Sequence, residues 1–498
     1  MYDVAREQSP REDLLTEVAE RSRAAGYNAL GLYLEHRFAY PSAPWAAGPG
    51  CLTGDVVRRL QATFRPRGLR IIPFLNTLGH MEGFIRSEGG QWLAEGPAGF
   101  GGVQICATRP ECRRFARDLV ADICAVFDDE WVHLGGDETR QLGQCPQCAA
   151  RVQSVGVAGL YAEYFAPLCR FVLERDRRPC LWGDMLLRHP GVLEALPRET
   201  VIFDWQYFNG PLQTSSMFRQ RGFDVVCCPS IQTYNSGWCF PAQSQANIDE
   251  HAADAAKLHA LGVLVTTWEF CYFSWLESIL PLVYAAGRRL ARGEDWDEAL
   301  VAEGGRGYAE AAHILGNLVP QRSTFLAPGT WRRLRHNLFM THDPFDLWRA
   351  WREEACGSVG EEILALCRQA EALVEHDHPL RRAIDLHRVG VEFVRGVEQA
   401  ARWYTTGDKE SAAAEVDAAA CLLGTLRPAA EVGAERGGSA ADIHRLDYAV
   451  RTVRQAAERL RIYGRASAYR PAFDTAIRPG AVEHDQAAWT LTDRVALG

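Results

Sequence analysis

Short apolar, β-branched runs alternate with amphipathic stretches from the start of the chain to about residue 293, the pattern of successive parallel strand-helix units. The runs are YDVA from Tyr2, NALGLYL from Asn28, RIIPFL from Arg70, WVHL from Trp131, PCLW from Pro179, VIFDW from Val201, DVVCC from Asp224 and GVLVTTW from Gly262. Between them the apolar spacing changes to three and four. In the first connection Leu14, Leu15, Val18 and Ala25 share one face of a helix that opens on a capping box of Ser9, Pro10 and Glu12 and stops at Gly26. Eight such units predict an α/β fold, a (β/α)8 TIM barrel. Past about residue 300 the strand pattern ends, and stretches such as RAIDLHRVGVEFVRGVEQAARWY and SAADIHRLDYAVRTVRQAAERLRIYG predict helices. The organisation expected is a barrel over residues 1–300 followed by an all-α C-terminal domain over 301–498, with a loop at the Gly-rich EVGAERGGSA around Gly437.

Composition narrows the function classes. With 47% hydrophobic and 23% charged residues among 498, the chain is an ordinary globular protein. A net charge of −9 and the lack of a basic stripe argue against a nucleic-acid partner. The first twenty residues lack the basic-then-apolar order of a signal peptide, and no apolar run is long enough to span a bilayer, so a cytoplasmic protein with no membrane partner is expected. Fifteen cysteines, several inside apolar runs, suit a reducing compartment better than a disulfide framework.

In a barrel of this kind chemistry gathers where the strands end. Those ends carry Glu35 after the second run, Asn76 and His80 after the third, Asp137 and Glu138 after the fourth, Trp182 and Asp184 after the fifth, Trp205 after the sixth, Tyr234 after the seventh, and Trp268 and Glu269 after the eighth. Carboxylates and a histidine ringed by aromatics describe a sugar site, because pyranose C–H faces pack on rings while carboxylates move protons. Adjacent residues of a regular strand point to opposite faces, so Asp137 and Glu138 can reach one mouth only if Gly135 and Gly136 let the backbone leave strand geometry. The competing reading is that one of the two carboxylates caps the next helix.

The segment His133 to Glu138, HLGGDE, resembles the H-x-G-G-D-E signature of the family 20 β-N-acetylhexosaminidases. TLGHME at Thr77 to Glu82 and LYLE at Leu32 to Glu35 are similar to that family's histidine loop and strand-two carboxylate segment. The barrel followed directly by helices looks like the compact branch of the family. The resemblance implies an exo-acting, retaining enzyme that removes terminal β-linked GlcNAc or GalNAc from oligosaccharides or glycoconjugates. The substrate's own 2-acetamido group serves as nucleophile, through an oxazolinium intermediate and without a cofactor. It implies Glu138 as the proton donor, Asp137 as partner of the acetamide N–H, Glu35 and His80 as their support, and Trp182, Trp205, Tyr234, Trp268 and Glu269 as substrate-binding residues. Two departures stand out. The family's sugar-binding arginine at strand one has no counterpart, Arg6 and Arg37 being poor substitutes, and the sequence has Tyr234-Asn235-Ser236 and an immediate Trp268-Glu269 where the family usually has an aspartate after the tyrosine and Trp-x-Glu.

Two further enzyme or binding readings compete: a conventional two-carboxylate β-glycosidase with Glu138 as acid and Glu269 as nucleophile, and a carbohydrate-binding barrel without catalysis. A homodimer is compatible with the sequence. Cys145 and Cys148 form a C-x-x-C knuckle just beyond the carboxylate pair, and Cys106 and Cys112 lie on the preceding connection. Together they could bind a structural zinc; separately packed free thiols are the alternative.

Overall fold

A computed structural model describes residues 1–5, 11–96, 102–233, 237–268, 276–328, 333–339, 344–436 and 441–464. The eight expected runs all form strand. The segments are β1 (Tyr2–Asp3), β2 (Ala29–Tyr33), β3 (Arg70–Phe74), β4 (Trp131–His133), β5 (Arg178–Trp182), β6 (Val201–Trp205), β7 (Asp224–Cys228), β8 (Ser230–Ile231), β9 (Gly262–Val263) and β10 (Thr266–Thr267). Pro229, which has no amide proton, parts β7 from β8, and Leu264 and Val265 part β9 from β10, so ten segments make eight staves. All pairings are parallel. β7 pairs with β9, β8 with β10, and β10 with β1 through Tyr2 and Thr267, which closes the sheet on itself.

Alternation sorts each stave into an inner and an outer row. Tyr33, Ile72, Phe74, Cys180, Trp182, Val201, Phe203, Val226 and Cys228 fill the interior. Rings from non-neighbouring strands touch there, Phe74 against Trp182 at 5.7 Å and Trp131 against Phe203 at 5.7 Å between centroids. The alternate row, including Leu30, Leu32, Ile71, Leu181, Ile202 and Val225, packs outward against the helices. This explains why the strand runs are mostly apolar on both alternating rows: both faces are covered.

The first helix spans Glu12–Ala25 and ends at Gly26 in the left-handed region, with Leu14, Leu15, Val18 and Ala25 buried as the spacing predicts. Its start differs from expectation. Arg11 occupies the N-cap and makes no side-chain capping bond; Ser9 and Pro10 lie outside the described residues. The helix dipole is instead met by Glu12 and Asp13 in the first turn. A second correction concerns EVGAERGGSA: Glu431 to Glu435 belong to the helix Arg427–Glu435, since one glycine within a run of alanine and glutamate does not stop a helix packed on its neighbour. Residues 437–440 lie outside the described residues.

After β10 the described residues contain helices and turns only. The long helices Leu380–Thr405, Lys409–Gly424 and Ala441–Tyr463 pack in sequence, the first also against Asp346–Ala355 and Ser358–Ala372. The helix Trp296–His313 runs across residue 300 and packs on Leu276–Arg292, which in turn covers the barrel's first helix. Among the described residues no helix is long and apolar enough to cross a membrane.

Candidate active site

β4 ends at His133, and two glycines shape the turn beyond it. Gly135 and Gly136 take φ of 76° and 94°, in the left-handed region. A methyl group on Gly135 would lie 2.4 Å from Asn76 Oδ1, and one on Gly136 would lie 2.5 Å from the Tyr161 hydroxyl, which donates to the Gly136 carbonyl at 2.7 Å. Neither position admits a side chain. The excursion brings both following carboxylates to one place. His80 Nε2 lies 3.3 Å from Asp137 Oδ2 and 3.2 Å from Glu138 Oε2. Neither carboxylate caps a helix: the next one spans Pro146–Leu173, and its N-cap is Cys145.

Five described non-glycine residues have positive φ, and three are Glu35 (40°), His80 (51°) and Glu138 (47°). Left-handed backbone is costly for a side chain with a Cβ and persists where surrounding structure enforces it, most often at functional sites. These three residues come after β2, β3 and β4, and Glu35 and His80 bring ligand-type atoms within 4.8 Å of each other. Glu35, His80 and Asp137 are buried, and the Glu138 side chain is only 10% exposed.

Burial disfavours a protonated His80, but the charge of Asp137 and the hydrogen bonds to both carboxylates outweigh it and hold the imidazole's pKa well above the ordinary 6.5. Asp137 shows the converse: burial opposes its ionisation, yet His80 brings its pKa below 3.8. Asp137 Oδ1 is nevertheless buried with no hydrogen-bond partner among the described residues. Asp184 Oδ2 accepts from the Glu138 amide at 3.0 Å, and burial together with the neighbouring Asp137 charge raises the Asp184 pKa to about 8. Around neutral pH, then, one aspartate of this cluster is ionised and the other protonated. Arg140 reaches Glu138 Oε1 at 3.1 Å from the other side.

Residues 10–273 match the family described as "Glycosyl hydrolase family 20, catalytic domain". The chain belongs to this family. The "Probable beta-hexosaminidase" of Arthroderma benhamiae is 26% identical over 207 residues, covering 35% of this chain and 32% of that protein. The "Beta-hexosaminidase" of Akkermansia muciniphila is 24% identical over 199 residues, covering 37% and 38%. The chain thus spans about a third of the length of these curated relatives. Among solved structures, Flavobacterium johnsoniae chitobiase superposes with a TM-score of 0.51 at 12% identity, covering 90% of this chain and 77% of that one. An exo beta-N-acetylglucosaminidase of Vibrio harveyi superposes with 0.50 at 18%, covering 61% and 56%. These likenesses bear on the fold.

In this family 20 barrel the aromatics sort by depth. Trp182 is wholly buried in the barrel interior, against Phe74 and His133. Trp205 and Trp268 are half-buried above it. Trp268 meets Tyr33 edge-on at 5.0 Å and donates its indole N–H to the Tyr207 hydroxyl at 2.6 Å, while Tyr207 stacks on Trp205 at 5.1 Å. Tyr234 and Glu269 lie outside the described residues, as does Arg6. Arg37 is buried and donates to the carbonyls of Ala47 (2.7 Å) and Pro49 (2.8 Å), bracing its own loop.

The cysteine expectation needs correcting at one position. Cys106, Cys145 and Cys148 do converge, with Cys106 Sγ 3.6 Å from each of the other two. Cys112 does not join them: it sits in the first turn of the helix Pro110–Val126 with its thiol toward the Leu93 carbonyl. The fourth member is Glu95, whose Oε2 lies 3.2 Å from Cys148 Sγ.

Sequence reasoning gave no role to Asp184 and passed over Tyr207 and Arg140. For the first two a signal existed. Counting on by two along the inner row gives Asp184 after Trp182 and Tyr207 after Trp205, just as Glu35 comes after Tyr33. Arg140, beyond the glycine turn, has no such register.

Proposed function

We propose that this chain is an exo-acting β-N-acetylhexosaminidase that cleaves terminal β-linked GlcNAc or GalNAc with retention, the substrate's acetamide acting as nucleophile. The observation that carries the reading is Asp137: ionised, buried, anchored through one oxygen to His80 and left with Oδ1 unpartnered among the described residues. A buried carboxylate oxygen in that state is a site for a donor that arrives with a ligand. An acetamide N–H is such a donor. As its carbonyl oxygen attacks the anomeric carbon, positive charge develops on the amide, and a fixed anion beside it stabilises the transition state more than the ground state.

Glu138 is then the proton donor to the leaving oxygen and, in the second half, the base that activates water. His80 and the Asp184 carboxyl position it, the first through its side chain and the second through its backbone amide. A conventional retaining pair needs carboxylates about 5 Å apart with the sugar between them. Asp137 and Glu138 meet at one imidazole nitrogen, as an acid and its partner would; the rival nucleophile, Glu269, lies outside the described residues, and turnover of a glucoside distinguishes the two readings. The half-buried faces of Trp205 and Trp268 supply apolar surface for the sugar. The reading calls on no cofactor for the chemistry.

A hydrolysis panel of aryl β-GlcNAc, β-GalNAc and β-Glc tests it. Turnover of the acetamido sugars and none of the glucoside is expected; equal turnover of all three would point to a two-carboxylate enzyme, and binding without hydrolysis at any pH to a non-catalytic barrel.

A further inference from the structure

We propose that Glu95, Cys106, Cys145 and Cys148 form a tetrahedral zinc site that fastens the loop carrying His80 to the loop carrying Glu138. The spacing fits the ion. Zinc-thiolate bonds of ~2.3 Å at tetrahedral angles separate two sulfurs by ~3.8 Å and a sulfur from a carboxylate oxygen by ~3.6 Å. The Cys106 sulfur lies 3.6 Å from those of Cys145 and Cys148, Glu95 Oε2 lies 3.2 Å from Cys148 Sγ, and one ligand atom from each of the four residues lies within 4.8 Å of the others.

The surroundings are those of a ligand set rather than of loose thiols. Glu95 is wholly buried and has no ion-pair partner among the described residues. Its Oε1 is occupied, accepting from the amides of Gly143 (3.1 Å), Gln144 (3.1 Å) and Cys145 (3.3 Å), which turns Oε2 toward the sulfurs. Cys145 caps the helix Pro146–Leu173 and takes the Cys148 amide at 3.3 Å, so the two knuckle sulfurs sit at the positive end of a helix. Thr108 Oγ1 contacts both Cys106 and Cys148. Three thiolates and a carboxylate leave two negative charges after zinc binds, and the Arg109 guanidinium lies alongside, donating to the carbonyls of Trp92, Leu93 and Ala94. Zinc displaces only the protons that the thiols still carry, which pass to solvent, and no electron is transferred.

The position gives the site its use. The segment before Cys106 is hydrogen-bonded to the His80 loop, Met81 amide to Val103 carbonyl at 2.9 Å and Ile105 amide to Leu78 carbonyl at 3.0 Å. It is also bonded to the Glu138 loop, the Gln141 amide donating to Gln104 Oε1 at 3.1 Å. A zinc ion binding Cys106 from one side and Cys145 and Cys148 from the other pins the junction of the two loops.

Metal analysis and X-ray absorption on the full chain, purified without chelator from zinc-supplemented cells, test the site directly. About one zinc per chain with three sulfur neighbours near ~2.3 Å and one lighter neighbour is expected. Cys145→Ser and Glu95→Gln should lower the bound zinc at least tenfold, while Cys112→Ser keeps it. Chelation of the wild type should lower Tm, and added zinc should restore it. A metal-free wild type, a disulfide within the trio found by peptide mapping, or equal zinc in Cys145→Ser and Cys112→Ser would each overturn the proposal. The wild-type absorption spectrum decides the matter even if a variant fails to fold.

Discussion

Asp137 and Asp184 are the same residue type in one cluster, the first beside His80 and the second accepting from the Glu138 amide, and their surroundings drive them to opposite states. Asp137 is matched by a cation. Asp184 meets burial and a neighbouring negative charge and keeps its proton to about pH 8. Their amides should therefore behave differently. On the proposed function, Asp137→Asn removes the charge that balances the developing oxazolinium and should lower kcat on aryl β-GlcNAc by at least about a hundredfold. Asp184→Asn copies the protonated form, keeps an acceptor for the Glu138 amide, and should hold kcat within about threefold at pH 6. Comparable losses in both would contradict this division. The His80–Asp137 pair also makes a pH prediction. A lowered Asp137 pKa gives stability that is present above 3.8 and lost as pH falls through its folded value. A raised His80 pKa gives stability that is full below 6.5 and lost as pH rises through its folded value. The stability difference between wild type and His80→Gln, from denaturant melts, should thus be largest between about pH 4 and 6.5 and shrink on either side.

At the scale of elements, the staves were legible because a strand covered on both faces is mostly apolar, and each run from Tyr2 to Trp268 is, with Asp3, His133 and Asp204 as buried polar exceptions. The left-handed turn after β4 was legible from Gly135 and Gly136 alone. Gly136→Ala would force a methyl group against the Tyr161 hydroxyl at a φ of 94°; it should cost about 2–4 kcal/mol and lower kcat through displacement of Glu138, both measurable on soluble protein. A variant of wild-type stability would mean that the turn is less tightly held than these contacts indicate. Chain order was less informative about contacts distant in sequence. Glu95 could not be told from any other loop carboxylate before the fold brought it 3.2 Å from Cys148, and Cys112 was expected in its place because both lie on one connection. The helix start at Glu12 was misplaced for a different reason: a favourable capping sequence competes with where the packed face begins, and Leu14 and Leu15 set the latter.

For the whole molecule, the helices beyond the barrel have a structural task at its mouth. Arg335 donates to the Gly237 carbonyl at 2.8 Å, and His387 fills the space where Gly237 would carry a side chain, next to the segment bearing Tyr234. Glu277, at the start of the helix after the segment bearing Glu269, pairs with Arg382 at 3.8 Å and Arg436 at 2.5 Å. Glu277→Gln leaves the largely buried Arg382 without its anion and should cost about 2 kcal/mol in urea unfolding, with KM for the aryl glycoside raised more than kcat is lowered. A change in kcat alone would place the effect at the Asp137–Glu138 centre instead. The backbone at Glu35, His80 and Glu138 bears on the whole molecule in another way. Each holds a conformation that asparagine or glycine would occupy at lower energy, by about 1 kcal/mol or more. A population selected only for survival on heating would drift toward those replacements and lose turnover as it gained durability. Engineering this protein for heat resistance therefore means freezing those three addresses and seeking improvement among the helices beyond residue 300.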